Sequence, residues 1–346
     1  MNKLRVGILG GTGTVGQRFC QLLDGHPQFE ISVIAASERS VGKLYHEACP
    51  WKLSTPMPQS VKEIEVQAIE PPLDCDLLFS SLPGSAAREA EDAFARSGLP
   101  VISNSSCHRM DEDVPLIIPE INHDHLGLIE VQQHKRGYDR GFIVTNPNCA
   151  VMSFAPPLAA LHEAFGVESA MITTLQAVSG AGYPGVASLD ILDNVLPYIA
   201  GEEPKAETEA QKILGKFDGE SIEKAEFAVS VQCFRVAVTD GHTAAVRVNL
   251  TNNAPLEEII AALSNYKGLD LHSSPGRFIE VSEEPSRPQP KLDRDNGNGM
   301  TITVGRVFPD NIFDYRFVSL SHNTLRGAAG AAILNAELLV DRKFIK

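Results

Sequence analysis

The chain opens on a continuous apolar run, LRVGIL at 4–9, of the length of a buried strand and too short for a buried helix. The texture changes at once in GGTGTVGQRFCQLL, where Gly10, Gly13 and Gly16 precede apolar residues at the helical positions Phe19, Leu22 and Leu23. A second strand is predicted at FEISVIAAS (29–37). Two more, DLLFSSLP (76–83) and LPVISNSS (99–106), flank the helical stretch SAAREAEDAFARSG. Strands alternating with helices predict a doubly wound, Rossmann-like parallel sheet with ligand at the carboxyl ends of its strands. Beyond residue 149 the pattern turns to β-type alternation, in SAMITTLQAVSGAGYPG (169–185), AEFAVSVQCFRVAV (225–238), HTAAVRVNL (242–250), RFIEVS and MTITVGRVF. With helices at 205–215 and 255–265, these strands predict an α+β domain with a largely antiparallel sheet. The Pro- and Gly-rich segment 283–299 reads as a polar loop on the surface or at a subunit contact, and 323–340 as a small-residue amphipathic helix. The change of texture predicts two domains, 1–148 and 149–322, with a C-terminal helix in 323–346.

Composition narrows the function. At 346 residues and 43% hydrophobic the chain can bury two cores, and no apolar run reaches a membrane span. The start MNKLRVGILGG lacks the apolar core and cleavage site of a signal peptide, so a cytoplasmic protein is expected. A net charge of -14 excludes nucleic acid as a natural partner, and it requires that any anionic substrate meet a local cluster of Arg or Lys. The six cysteines have no paired spacing and no CxxC, which predicts reduced thiols and no metal site.

The glycine turn predicts dinucleotide binding by Gly10, Thr12, Gly13, Thr14, Val15 and Gly16. An NAD site usually carries a carboxylate at the end of the second strand. Here ASERSVGK (36–43) offers Ser37, Arg39, Ser40 and Lys43, donors and positive charge suited to the 2′-phosphate of NADP(H). A nucleophile is sought in TNPNCAVM: Pro147 disfavours helix at Asn146 and Asn148 is a good N-cap, so a helix is expected to begin at Cys149. The dipole there would lower the thiol pKa. His242, in a Gly-containing turn, is expected to be exposed and to serve as acid/base. Arg235 and Gln176 are polar intrusions in apolar strands, and a buried Arg235 implies an anionic ligand.

Together GGTGTVG, ASERSVGK, NSSCHRM, PEIN, NPNCA, LQAVSGAGYPG, GEEPK, FRVAVTDGH and NTLRGAAG resemble aspartate-semialdehyde dehydrogenase across essentially the whole chain. The RPQP-containing loop and the spacing between motifs resemble the archaeal and fungal branch. The resemblance implies NADP-dependent, reversible reductive dephosphorylation of aspartyl 4-phosphate to aspartate semialdehyde, a step in lysine, threonine and methionine biosynthesis, by a homodimer or homotetramer. It implies Cys149 as nucleophile, His242 as acid/base and Gln176 as the substrate-orienting amide. Arg235 would hold the substrate carboxylate, Glu202 its amino group, and Arg109 with Lys205 the phosphate. Ser179, Gly180 and Gly182 belong to a loop near the nicotinamide, and Asn323 to the segment returning to the cofactor domain. Ala150 replaces the family's usual serine, and Pro204, read as a helix N1 residue, its usual acidic residue. Competing readings are malonyl-CoA reductase of the same branch, acetylglutamyl-phosphate reductase, whose cysteine motif has glycine in place of Asn148, and an inactive NADP-binding regulatory protein.

Overall fold

In the computed structural model, which describes residues 3–345, the first apolar runs assemble into one six-stranded sheet. Met1, Asn2 and Lys346, ends of the expected cofactor domain and C-terminal helix, lie outside the described residues. The strands are β1 (Leu4–Leu9), β2 (Phe29–Ala35), β3 (Val66–Gln67), β4 (Leu77–Ser80), β5 (Pro100–Ser103) and β6 (Phe142–Thr145). They lie in the order β3-β2-β1-β4-β5-β6, parallel at every pairing. Helix α1 (Thr14–Leu23) covers one face through Phe19, Cys20 and Leu23, and α2 (Gly84–Arg96) the other through Ala87, Phe94 and Ala95. Strand order reverses between β1 and β4, which opens the ligand crevice of such sheets at the glycine turn. Gly10 has φ +78°, and a Cβ on Gly16 would lie 2.4 Å from the Gly10 carbonyl oxygen. Only glycine lets α1 start this close to β1.

The second sheet comprises β7 (Val167–Gln176), β8 (Ala228–Arg235), β9 (His242–Leu250), β10 (Ile279–Ser282), β11 (Ile302–Pro309) and β12 (Tyr315–Ser321), in the order β8-β7-β9-β12-β11-β10. Its three central pairings are antiparallel and the outer two parallel, so the expected fold class holds. Helix α3 (Val151–Phe165) packs against one face and is buried from Val151 through Leu161. The opposite face exposes Met171, Leu175 and Phe308.

Three expectations change. The tail forms a π-helical turn, Leu325–Ala329, and α5 (Gly330–Asp341), after the helix α4 (Glu202–Ile213) described below. Helix α5 is not amphipathic: every residue from Gly330 through Leu339 is buried. Its Ala331 joins the core of the second sheet while Ala332, Ile333, Ala336 and Leu339 join Val6 and Phe19 beneath the first, so it has no solvent face. The segment 283–299 is not plain loop, because Pro290–Asp293 forms a helical turn, Gly297 and Asn298 take left-handed backbone (φ 54° and 57°), and the buried Asp293 carboxylate accepts from Arg287 and from the Gln289 N–H at 2.6 Å. Pro204 sits at N3 of α4 rather than N1, where it is tolerated because first-turn N–H groups have no intrahelical acceptor. No helix among the described residues is long and apolar enough to cross a membrane.

Candidate active site

Strand register explains the seven-residue step from Arg235 to His242. β8 runs parallel to β7 with Arg235 beside Gln176, and β9 runs antiparallel on the other side of β7 with Thr243 beside Leu175. The chain therefore leaves β8 at Arg235, crosses the end of β7 and re-enters the sheet at His242, a span of two strand spacings, about 10 Å. The crossing is fixed by N–H donation from Val236 to the Gln176 carbonyl (3.0 Å) and from Val178 to the Val238 carbonyl (2.8 Å). Gln176, Arg235 and His242 are thereby gathered at one sheet end, all buried. The expected exposure of His242 is overturned: it opens β9, fully buried, rather than lying in the turn before it.

His242 Nε2 lies 3.3 Å from Cys149 Sγ. Its Nδ1 accepts the Ala177 N–H at 3.0 Å, so the network assigns the neutral ring's proton to Nε2, facing the sulfur. Arg235 donates to the Ala177 carbonyl at 2.8 Å, which fixes the same residue through its next peptide group. Cys149 does not begin a helix; it occupies the turn before α3, which starts at Val151. The Asn148 side chain does cap this turn, accepting from the Ala150 N–H at 2.7 Å. The expected lowering of the thiol pKa is also overturned. Burial, followed by the charge of Glu202, pushes the thiol up to about 12 against the opposing pull of Arg109 and Arg235. Burial, aided by Arg235, takes His242 down to about 3. The resting pair is a neutral thiol and a neutral imidazole.

Helix α4 holds the cysteine turn from the other side. Glu202 accepts from the Asn148 side-chain amide at 2.8 Å, and Glu209 from the Asn148 N–H at 2.6 Å. Glu209, 1% exposed, also pairs with Arg109 at 3.0 Å across the two halves of the molecule. Arg109 donates to the Asn104 carbonyl at 2.8 Å and keeps its buried Nε unpartnered while lining the cleft, a donor left for an anion. Lys212 donates to three carbonyls of the Arg109 loop, those of Arg109, Asp111 and Val114, each at 2.8 Å. Lys205 is not brought to Arg109: it is exposed, with its ammonium beside Gly201 and off the cleft wall. Glu209 and Lys212 were not anticipated. Their signal was the spacing 202, 205, 209, 212, a charged stripe on one helical face that also buries Ala206 and Ala210.

A cleft of about 520 Å³ joins the halves. Thr12, Gly13, Thr14 and Val15 line one wall, Ser179, Gly180 and Gly182 another, and Cys149 lies between. Asn323 lines it too, but its amide is engaged, accepting from the Gly241 N–H and donating to Ser179 Oγ, both at 2.8 Å. Lys52 and Tyr183, unanticipated, meet across the cleft with the ammonium 4.5 Å from the ring centroid. Ser37 and Arg39 are exposed just past the end of β2, beside the glycine turn, whereas Ser40 is buried and donates its N–H to the Ser37 carbonyl. Lys43 turns its ammonium onto the Arg39 carbonyl at 2.9 Å.

Comparison with known proteins agrees with this geometry. Residues 5–129 match the semialdehyde dehydrogenase NAD-binding domain and 158–326 the semialdehyde dehydrogenase dimerisation domain. The chain is 53% identical to the aspartate-semialdehyde dehydrogenase of Archaeoglobus fulgidus, over 98% of this chain and 99% of that one. It is 46% identical to that of Schizosaccharomyces pombe, over 98% of each. Among solved structures, aspartate-semialdehyde dehydrogenase with NADP from Candida albicans superposes with a TM-score of 0.91 at 40% identity, covering 99% of this chain and all (100%) of that one. The chain belongs to the aspartate-semialdehyde dehydrogenase family.

Proposed function

We propose that the chain converts L-aspartyl 4-phosphate to L-aspartate 4-semialdehyde and phosphate, reversibly and with NADPH, through a thioester on Cys149, in amino-acid biosynthesis. The observation that carries this reading is the 3.3 Å junction of Cys149 with His242 in a cleft walled by the glycine turn. The Cys149 thiol adds to the acyl carbon of the acyl phosphate, and the phosphate leaves toward Arg109, whose Nε is the free donor, carrying away the thiol proton as hydrogen phosphate. Bound NADPH supplies the hydride that reduces the thioester. His242 then stabilises the thiohemiacetal oxygen by donation from Nε2 before the carbon–sulfur bond breaks. Net proton transfer through the ring requires Nδ1 to let go of the Ala177 N–H. Arg235 and Glu202 fit the substrate carboxylate and amino group, Gln176 orients the substrate, and Lys205 reaches the phosphate only by swinging in from solvent.

The first test is steady-state oxidation of aspartate semialdehyde with NADP, which is expected to require phosphate or arsenate. Turnover without either, or faster reverse reaction with malonyl-CoA, would sink the assignment in favour of the coenzyme A-dependent relative. Arg39 and Ser37 fit a 2′-phosphate at the end of β2, so NADPH is expected to bind more tightly than NADH. Arg39→Ala should then cost NADPH about 1–3 kcal/mol of charge-assisted hydrogen bonding and leave NADH nearly unaffected, measured by titration calorimetry. Equal loss for both cofactors would place the arginine elsewhere.

The reading places the domain boundary at Asn148 and Cys149 and the enzyme in the cytoplasm, where its six free thiols stay reduced. It also makes the chain a homo-oligomer, a homodimer or homotetramer, with a contact through the uncovered face of the second sheet. Met171 and Leu175 are exposed there, and Leu189 (89% exposed) and Ile312 (86% exposed) are large apolar side chains that a partner would cover.

A further inference from the structure

Behind the cleft wall lies a second cluster that the proposed reaction does not use. Glu91, on α2, is fully buried beneath the ends of β4 and β5, where one carboxylate oxygen accepts from Ser80 Oγ at 2.6 Å and Ser103 Oγ at 2.7 Å. Its other oxygen faces Cys107 Sγ at 3.9 Å and His108 Nε2 at 3.9 Å. His108 is 1% exposed, and its Nε2 has no hydrogen-bond partner. The opposite ring nitrogen, Nδ1, lies 2.8 Å from Asp111 Oδ2, where it donates. Asp111 is itself held by Arg88 and Arg136, both at 3.0 Å. A histidine whose Nδ1–H is held by a carboxylate presents a lone pair at Nε2, the arrangement that orients metal-bound imidazoles. That lone pair points at a carboxylate oxygen, with a thiol alongside. In the neutral ring that nitrogen and the Glu91 oxygen are two acceptors facing each other, so the buried site takes positive charge there, either a proton on Nε2 or a metal ion.

We propose that Glu91, Cys107 and His108 form a binding site for a thiophilic divalent cation of the zinc class. The three ligand atoms lie within 4.8 Å of one another, and bonds of about 2.0–2.3 Å to one ion require them to close by roughly an ångström or less. Ser105 Oγ, 3.4 Å from Cys107 Sγ, or a water reaching the half-exposed cysteine completes a tetrahedral set. Binding releases the Cys107 thiol proton. It also displaces any proton on His108, whose imidazolium burial opposes but the bonds to Asp111 and Cys107 favour, to about pKa 9. Sequence spacing hid the site because Glu91 comes from a different element. The ion would clamp the loop immediately before Arg109 onto α2, coupling metal occupancy to the anion-binding arginine.

The test uses full-length Cys149→Ser protein, which removes the active-site thiol as a competing ligand and needs no activity. Addition of Co²⁺ is expected to give a thiolate-to-cobalt charge-transfer band that saturates at about one equivalent per chain and is displaced by Zn²⁺. Zn²⁺ should also raise the melting temperature. Cys149→Ser/Cys107→Ser should melt with its parent in the absence of metal, yet show neither the band nor the Zn²⁺ shift. Absence of the band in Cys149→Ser, or its persistence in the double variant, overturns the site and leaves the His108 imidazolium as the only charge between Asp111 and Glu91.

Discussion

Replacing Cys149 by serine is expected to leave a folded protein that binds NADPH and turns over at least about 10³-fold more slowly. Serine keeps the small volume beside His242, so the packing around the turn survives, but a hydroxyl needs a base far stronger than an imidazole held at about 3. The buried thiol is itself raised to about 12, so the free enzyme holds little thiolate near neutral pH. Alkylation of Cys149 should therefore accelerate steadily as pH rises from 7 through the alkaline range. A labelling rate already level near pH 7 would show a preformed thiolate and reverse the neutral-pair assignment. Burial also sets the direction of acid sensitivity at this site. His242 has a folded pKa below its ordinary value of 6.5, so the unfolded chain binds the extra proton and this residue's share of stability declines as pH falls from about 6.5 toward 3.

The second large effect concerns Arg109. Arg109→Leu should raise the phosphate KM strongly, as an anion-binding arginine requires, and should also destabilise the fold by about 3–5 kcal/mol because Glu209 is left buried without its cation. These two consequences separate on a second substitution. Glu209→Gln added to Arg109→Leu removes the stranded charge and is expected to recover much of the stability in urea unfolding, while the phosphate KM stays high. If the double variant regains phosphate affinity, Arg109 acts only by holding Glu209 and the Asn148 turn in place. If the single variant is as stable as the parent, the pair across the cleft is weaker than its geometry states.

Much of the fold could be read from the chain because its strands are buried or alternate cleanly. β1 and β9 fall on the residues that the apolar patterns mark, 4–9 and 242–250. β3 and β6 carry no legible period, the first because it is two residues long and the second because FIVT is only four. Helix α3 runs through Pro156 and Pro157, which local rules read as a break, since its burial outweighs the lost backbone bonds. At the site, residue types pointed to the thiol, the imidazole and the arginines, and β-strand register brings His242 and Arg235 together beside Gln176. What local sequence did not carry was burial. Cys149 and His242 look activated beside a turn and a helix start, yet desolvation from distant elements dominates both. Glu209 stayed hidden for the same reason: its two partners, Arg109 and Asn148, are 100 and 61 residues away.

The last helix has a consequence for how the molecule is made. Helix α5 is synthesised after both sheets, yet Ile333, Ala336 and Leu339 supply part of the floor beneath β1 and α1. The nucleotide-binding half thus cannot seal its core before α5 has been made, and Val6, Phe19 and Phe29 wait partly uncovered until then. Premature termination anywhere upstream of Gly330 leaves an aggregation-prone apolar sheet rather than a free-standing cofactor module.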